Sequence, residues 1–120
     1  MCRLDPAILS HEAHLRLAWI HIKKYGIETA MRDICEQLKM FVEFHGLAEK
    51  YNQTLTIAAT KVVYHFVNKS AADNFYEFIR EYPQLKYNFK KLINSHYSID
   101  IDHSEIAKKE YLEPDLLPFS

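Results

Sequence analysis

Seven histidines stand in 120 residues, and two of them, His11 and His14, lie three apart in the segment HEAH. Imidazole can ligate a metal, move a proton or hold a hydrogen bond, so the direction it faces decides its chemistry. On a helix turning about 100° per residue, His11, His14, Ala18, His21, Ile22 and Tyr25 share one broad arc. Leu15 and Trp19 flank that arc, and Glu12, Arg16 and Lys23 fall opposite. His14 continues the line of Ala18 and Ile22 at four-residue steps, so it is expected to face inward, with His11 beside it. A buried ring nitrogen needs a partner. The candidates are the hydroxyls of Thr54, Thr56 or Tyr97, the His96 ring and the Asp115 carboxylate. His96 follows the apolar stripe of Leu85, Phe89, Leu92 and Ile93, and His65 edges another stripe. Three or four imidazoles are therefore candidates to converge.

Converging imidazoles suggest a metal, but the known spacings do not support one. HEAH is not H-E-x-x-H, which needs histidines four apart around a glutamate base. No Glu-x-x-His pair of the di-iron kind occurs, and Glu43 and His45 are two apart, on different faces. No tightly held transition metal is expected. No G-x-S-x-G, P-loop or dinucleotide fingerprint is found, and with only Gly26 and Gly46 in the chain no nucleotide cofactor is expected. Cys35 sits on an apolar helical stripe and reads as a buried, reduced thiol with a raised pKa, a poor nucleophile. In YNQTLT, 51–56, Asn52, Thr54 and Thr56 gather polar groups at a helix start. Asn52 or Thr54 can cap that helix, and free amides there can also hold an anion or an oxygen-rich ligand. In KYNFKK, Lys86, Lys90 and Lys91 alternate with Tyr87 and Phe89. The solvated face of an amphipathic helix accounts for this better than a nucleic-acid patch.

Helices must position these groups. Gly counts 2 and Pro 4, too few for the turns of a sandwich or barrel. The expected helices are His11 to Tyr25 behind a Ser10 cap, about Ile27 to His45 ended by Gly46, and about Thr54 to Asn68. A fourth, capped by Ser70 with Asp73 in its first turn, ends at Pro83. A fifth runs from about Gln84 to His96, and a short sixth from Ser104 to about Tyr111. LAEKYN is a loop. The third helix is rich in β-branched residues, yet its Leu55, Ala58, Ala59, Val62, Val63, Phe66 and Val67 repeat at three and four. The tail LEPDLLPFS is bracketed by Pro114 and Pro118 and is expected to dock Leu116, Leu117 and Phe119 on the bundle, aiming Asp115 at the histidine face. The fold class is thus all-α, a compact bundle of five to six helices in one domain spanning 1–120.

Fifteen basic and 16 acidic side chains leave a net charge of -1, without the basic excess of a nucleic-acid or anionic-membrane binder. Cys2 and Cys35 make no disulfide framework. No apolar run approaches about 18 residues, and MCRLDPAILS lacks signal-peptide character. A cytoplasmic protein without nucleic-acid or membrane partners is expected; the oligomeric state is open.

The segments SHEAHLRLAWIHIKKYG, KYNQTLTIAA and HYSIDIDHSEIAKKEYLEPDLLPF resemble a group of small bacterial proteins without an assigned activity. They share its H-x-x-H-L-x-x-A-W opening, its K-Y-x-x-T-x-T middle motif and its Tyr–Ser step before a Pro-Asp tail. The resemblance spans nearly the whole chain and marks His11, His14, Trp19, Tyr51, Thr54, Thr56, Tyr97, Ser98, Pro114 and Asp115. Members commonly carry a histidine after the tyrosine of the middle motif, where this chain has Asn52. That departure weakens a metal reading and favours hydrogen bonding. The resemblance supplies residues and no mechanism.

Three readings compete. A pocket protein, enzyme or sensor, would hold a polar small molecule with His11, His14, Asn52, Thr54, Thr56, His96, Tyr97 and Asp115. A metal protein would use the same histidines. A helical interaction module would use them only to fix packing. The first leads, because polar groups from separated segments need a common reason to face inward.

Overall fold

The computed structural model describes residues 11–119. The expected Ser10 cap lies outside them. Three long helices carry the fold: α1 (His11–Tyr25), α2 (Ile27–Phe44) and α3 (Gln53–Val67). Each packs on the other two. Their apolar stripes meet in one core, from Leu15, Ala18 and Ile22 of α1 and Ala30, Ile34 and Leu38 of α2 to Ala58, Val62 and Val63 of α3. Four short helices complete the described residues: α4 (Phe75–Glu81), α5 (Gln84–Tyr87), α6 (Phe89–Asn94) and α7 (Glu105–Lys109). The described residues form an all-α bundle without strands. None of their helices is long and apolar enough to cross a membrane.

Local chemistry sets the boundaries. Gly26 alone separates α1 from α2 at φ 88°, a left-handed conformation that a Cβ disfavours. Its amide still reaches Ile22 O at 2.9 Å, and its carbonyl receives Ala30 N at 3.0 Å, so one residue turns the chain without stranding its polar groups. Gly46 at φ 70° ends α2, where Leu47 N closes on Val42 O at 2.7 Å. Asn52 caps α3, its Oδ1 accepting from Leu55 N at 2.9 Å. Two threonines of α3 turn their hydroxyls back on the helix: Thr56 and Thr60 each donate to the carbonyl four residues back, at 2.8 Å. The helical spacing therefore prevails over β-propensity in 53–67.

Several boundaries differ from expectation. LAEKYN is not a plain loop but holds a 3₁₀ turn, Ala48–Lys50. α4 is capped by Asn74, whose side chain accepts from Glu77 N at 2.9 Å. Ser70 instead donates to Glu81 and accepts from Ala72 N, and Asp73 stays outside the helix. The fifth expected helix divides at Asn88 (φ -129°), which is why the described residues hold seven α-helices where five or six were expected. Ser104 does cap α7, accepting from Ala107 N at 3.2 Å.

The tail docks, but not as its apolarity suggests. Leu116 and Leu117 are 55% and 53% exposed, whereas Leu112 and Phe119 pack against the core. Leu116 N donates to His96 O at 3.0 Å, and His96 Nδ1 donates to Leu117 O at 2.8 Å. Phe119 lies on the His96 ring with centroids 4.3 Å apart. Asp115 does not aim at His11 and His14. It accepts from Ser98 N at 2.9 Å and from the Ser98 hydroxyl, and the latter bond holds its carboxyl below the usual range.

Candidate functional site

A cavity of about 470 Å³ opens inside the bundle, within the roughly 300–1,000 Å³ common for ligand pockets. α1, α2 and α3 supply its apolar floor, with Leu15, Ala18, Ile34 and Val63 buried beneath it. The 3₁₀ turn and the α5–α6 segment supply Lys50, Lys86, Tyr87, Lys90 and Asn94, all exposed, to its lining. The space thus runs from surface to core. Along α1 the lining passes from exposed His11 through half-buried His14 to buried Leu15 and Ala18, a polar-to-apolar gradient within two helical turns.

His11, expected inward, is exposed overall. Its Nε2–H donates to Leu85 O at 2.7 Å, and its ring rests against Phe89 at 4.6 Å. These contacts tie the start of α1 to α5 and α6. His14 does turn inward, as its alignment with Ala18 and Ile22 requires. None of its expected partners reaches it, however, and its buried Nε2 has no hydrogen bond. Burial, aided by the neighbouring His11 charge, lowers its pKa, so the neutral imidazole is favoured.

The other polar groups inside the cavity are already engaged. Asn52 uses both ends of its amide, accepting from Leu55 N and donating to Ile101 O at 2.7 Å. Thr56 and Thr60 bond within α3. The helix start at 51–56 therefore serves the fold, and its side chains are not left open for an anion. Tyr51 donates to Gln53 Oε1 at 2.5 Å, and burial followed by the Cys35 thiol pushes its phenol up. Tyr51 also borders a surface groove with Cys35, Lys61 and Tyr111, so it stands between cavity and groove. Cys35 is half-buried rather than buried, with its pKa raised by burial.

Four of the eight expected site residues line this cavity: His11, His14, Asn52 and Thr56. The other four do not line it. Thr54 is fully buried, and its hydroxyl donates to Glu110 O at 2.7 Å and accepts from Leu112 N at 3.0 Å. Tyr97 donates to Leu112 O at 2.8 Å. His96 and Asp115 hold the tail. All four residues fasten the C-terminal segment, a long-range purpose invisible in their spacing; Thr54 and Tyr97 do so from the interior and Asp115 from an exposed position. The imidazoles do not converge, and among the described residues no three His, Cys, Asp or Glu side chains form a group that could hold a metal ion.

Residue types alone missed the lysines. Lys86 meets Glu12 at 2.8 Å and Lys90 meets Asp102 at 3.5 Å, while no carboxylate among the described residues pairs with Lys50. Alternation of lysines with Tyr87 and Phe89 was the available signal: a face half packed and half charged suits a cavity edge as well as solvent. Comparison with known proteins finds no match among family models, curated proteins or solved structures.

Proposed function

We propose that the chain is a small-ligand-binding protein whose ligand is mostly hydrocarbon and offers one polar group to His14. The observation that carries this reading is the cavity of about 470 Å³ with its apolar α1–α3 floor, lined by His14, whose buried Nε2 has no hydrogen-bond partner. An unmet buried polar atom costs about 1–3 kcal/mol, and a ligand that meets it recovers that cost. The polar small molecule suggested by residue types finds few hooks here, since Asn52, Thr56 and Thr60 are engaged within the protein. An interaction module with purely structural histidines leaves the cavity without a reason.

Titration with the neutral fluorophore N-phenyl-1-naphthylamine tests it. Saturable enhancement is expected, with stabilisation of about 2.7 kcal/mol when the free probe reaches 100 times its Kd. Ala59→Phe, which places a ring in the cavity, should abolish the enhancement while leaving the helical circular dichroism intact. Equal binding by this variant and the parent protein would reject the cavity as the site.

A further inference from the structure

Granted the small-ligand reading of this cavity, we infer that the ligand is an amphipathic monocarboxylic acid, with its hydrocarbon on the α1–α3 floor and its carboxylate at the lysine-bearing edge beside His14. The inference deepens that reading and rests on it. Charge selects the head group. Lys50, Lys86 and Lys90 line the cavity with the single carboxylate of Asp102, and Glu12 outside the lining neutralises Lys86. Three ammonium groups against these two carboxylates leave one positive charge, on Lys50. A monoanion balances it. A phosphomonoester, with about -1.5 to -2 charges at neutral pH, overfills it. A cationic head would meet an unpaired ammonium.

Geometry sets the direction of binding. His14 is three residues along α1 from exposed His11, about 4.5 Å of helix rise, and Leu15 and Ala18 beyond it are buried. A head group at the outer end of this path, beside His14, therefore stays near the charged edge while the attached chain descends past Ala18 toward Ile34 and Val63. Beyond His14, the α3 hydroxyls on that path are committed to helix carbonyls. A chain bearing further hydroxyls would lose water without replacement, so a plain alkyl or aryl body is selected.

Calorimetric titration of the intact protein with decanoate, decan-1-ol, decylamine and decyl phosphate, each below its aggregation concentration, tests the class. Decanoate should bind about 10- to 100-fold more tightly than decan-1-ol, the range of a charge-assisted contact. From hexanoate to decanoate each methylene should tighten binding about 3- to 4-fold. Lys50→Met should remove most of the decanoate advantage and leave decan-1-ol unchanged. Equal affinity for acid and alcohol, or tightest binding of the amine or the phosphate, would overturn the acid assignment while the cavity reading stands. Failure of all four ligands and of the neutral fluorophore would overturn the cavity reading itself. Lys50 is exposed in a 3₁₀ turn without an ion-pair partner among the described residues, so its replacement leaves the core untouched.

Discussion

The hydroxyl oxygen of Thr54, at the start of α3, accepts the backbone amide of Leu112 at 3.0 Å across 58 residues of sequence, and its proton goes to Glu110 O at 2.7 Å. One fully buried side chain thus satisfies two backbone groups of the C-terminal segment. Thr54→Val keeps the shape and removes both bonds. It should cost about 1–3 kcal/mol, because two buried groups lose their partner. Thr54→Ser should retain most of the stability. Urea denaturation of the three proteins measures this, and a Val variant as stable as the parent would show that the clamp is dispensable.

The tail gives a second prediction by contrast. Leu116 and Leu117 are more than half exposed, while Phe119 packs on His96 and, at 6.1 Å, on Tyr97. Leu116→Ala and Leu117→Ala should each lie within about 0.5 kcal/mol of the parent. Phe119→Ala should cost about 1–2 kcal/mol, less than the roughly 3–5 kcal/mol of a fully buried ring. Thermal melts showing the leucines to matter more than Phe119 would mean that the tail docks differently.

Local chemistry explains which of these features were legible in the sequence. Repeats at three and four, with Gly26 and Gly46 as stops, are enough to delimit α1, α2 and most of α3. The His14 direction follows from Ala18 and Ile22. The division at Asn88 was not legible, because neither Pro nor Gly marks it and the stripe Leu85, Phe89, Leu92, Ile93 continues across the break. Asn74 and Ser70 are both good caps by type, and only the bond from Ser70 to Glu81 decides between them. Half of the candidate site failed for one reason: Thr54, His96 and Tyr97 bond to backbone of the C-terminal segment, and Asp115 within that segment bonds back to Ser98, so their partners are set by tertiary contacts.

His14 predicts a pH dependence. Burial, and then the His11 charge, lower its folded pKa below the ordinary value of about 6.5. As pH falls below that value the unfolded chain takes up a proton that the folded chain resists, so stability is lost from there down to the lowered folded value. Above it the contribution is complete. His14→Leu should be neutral or stabilising at pH 7.5, since it removes an unmet polar atom, and its advantage over the parent should widen toward pH 5. Parallel melting curves for the two proteins between pH 7.5 and 5 would exclude a desolvated His14.

Asn52 allows a sharper separation of two roles held by one side chain. Its Oδ1 caps α3 through Leu55 N, and its Nδ2 donates to Ile101 O at 2.7 Å, both in a site only 7% exposed. Asn52→Ala loses both bonds. The missing cap alone is worth about 0.5–2 kcal/mol, and the orphaned Ile101 carbonyl adds to it. Asn52→Asp is the informative change. Aspartate caps a helix as well as asparagine, and its charge suits the positive helix end. But it sets a carboxylate oxygen, which cannot donate, against the Ile101 carbonyl. The protonated acid can donate there, so the introduced carboxyl should have a folded pKa above its unfolded value. Its favourable contribution is then complete below the unfolded value and is lost as pH rises through the folded one. N52D should therefore be less stable than the parent at pH 7 and recover toward it as pH falls to 4. If the cap were the dominant role, N52D would match the parent at neutral pH and fall behind it in acid, as the carboxylate that caps α3 is protonated.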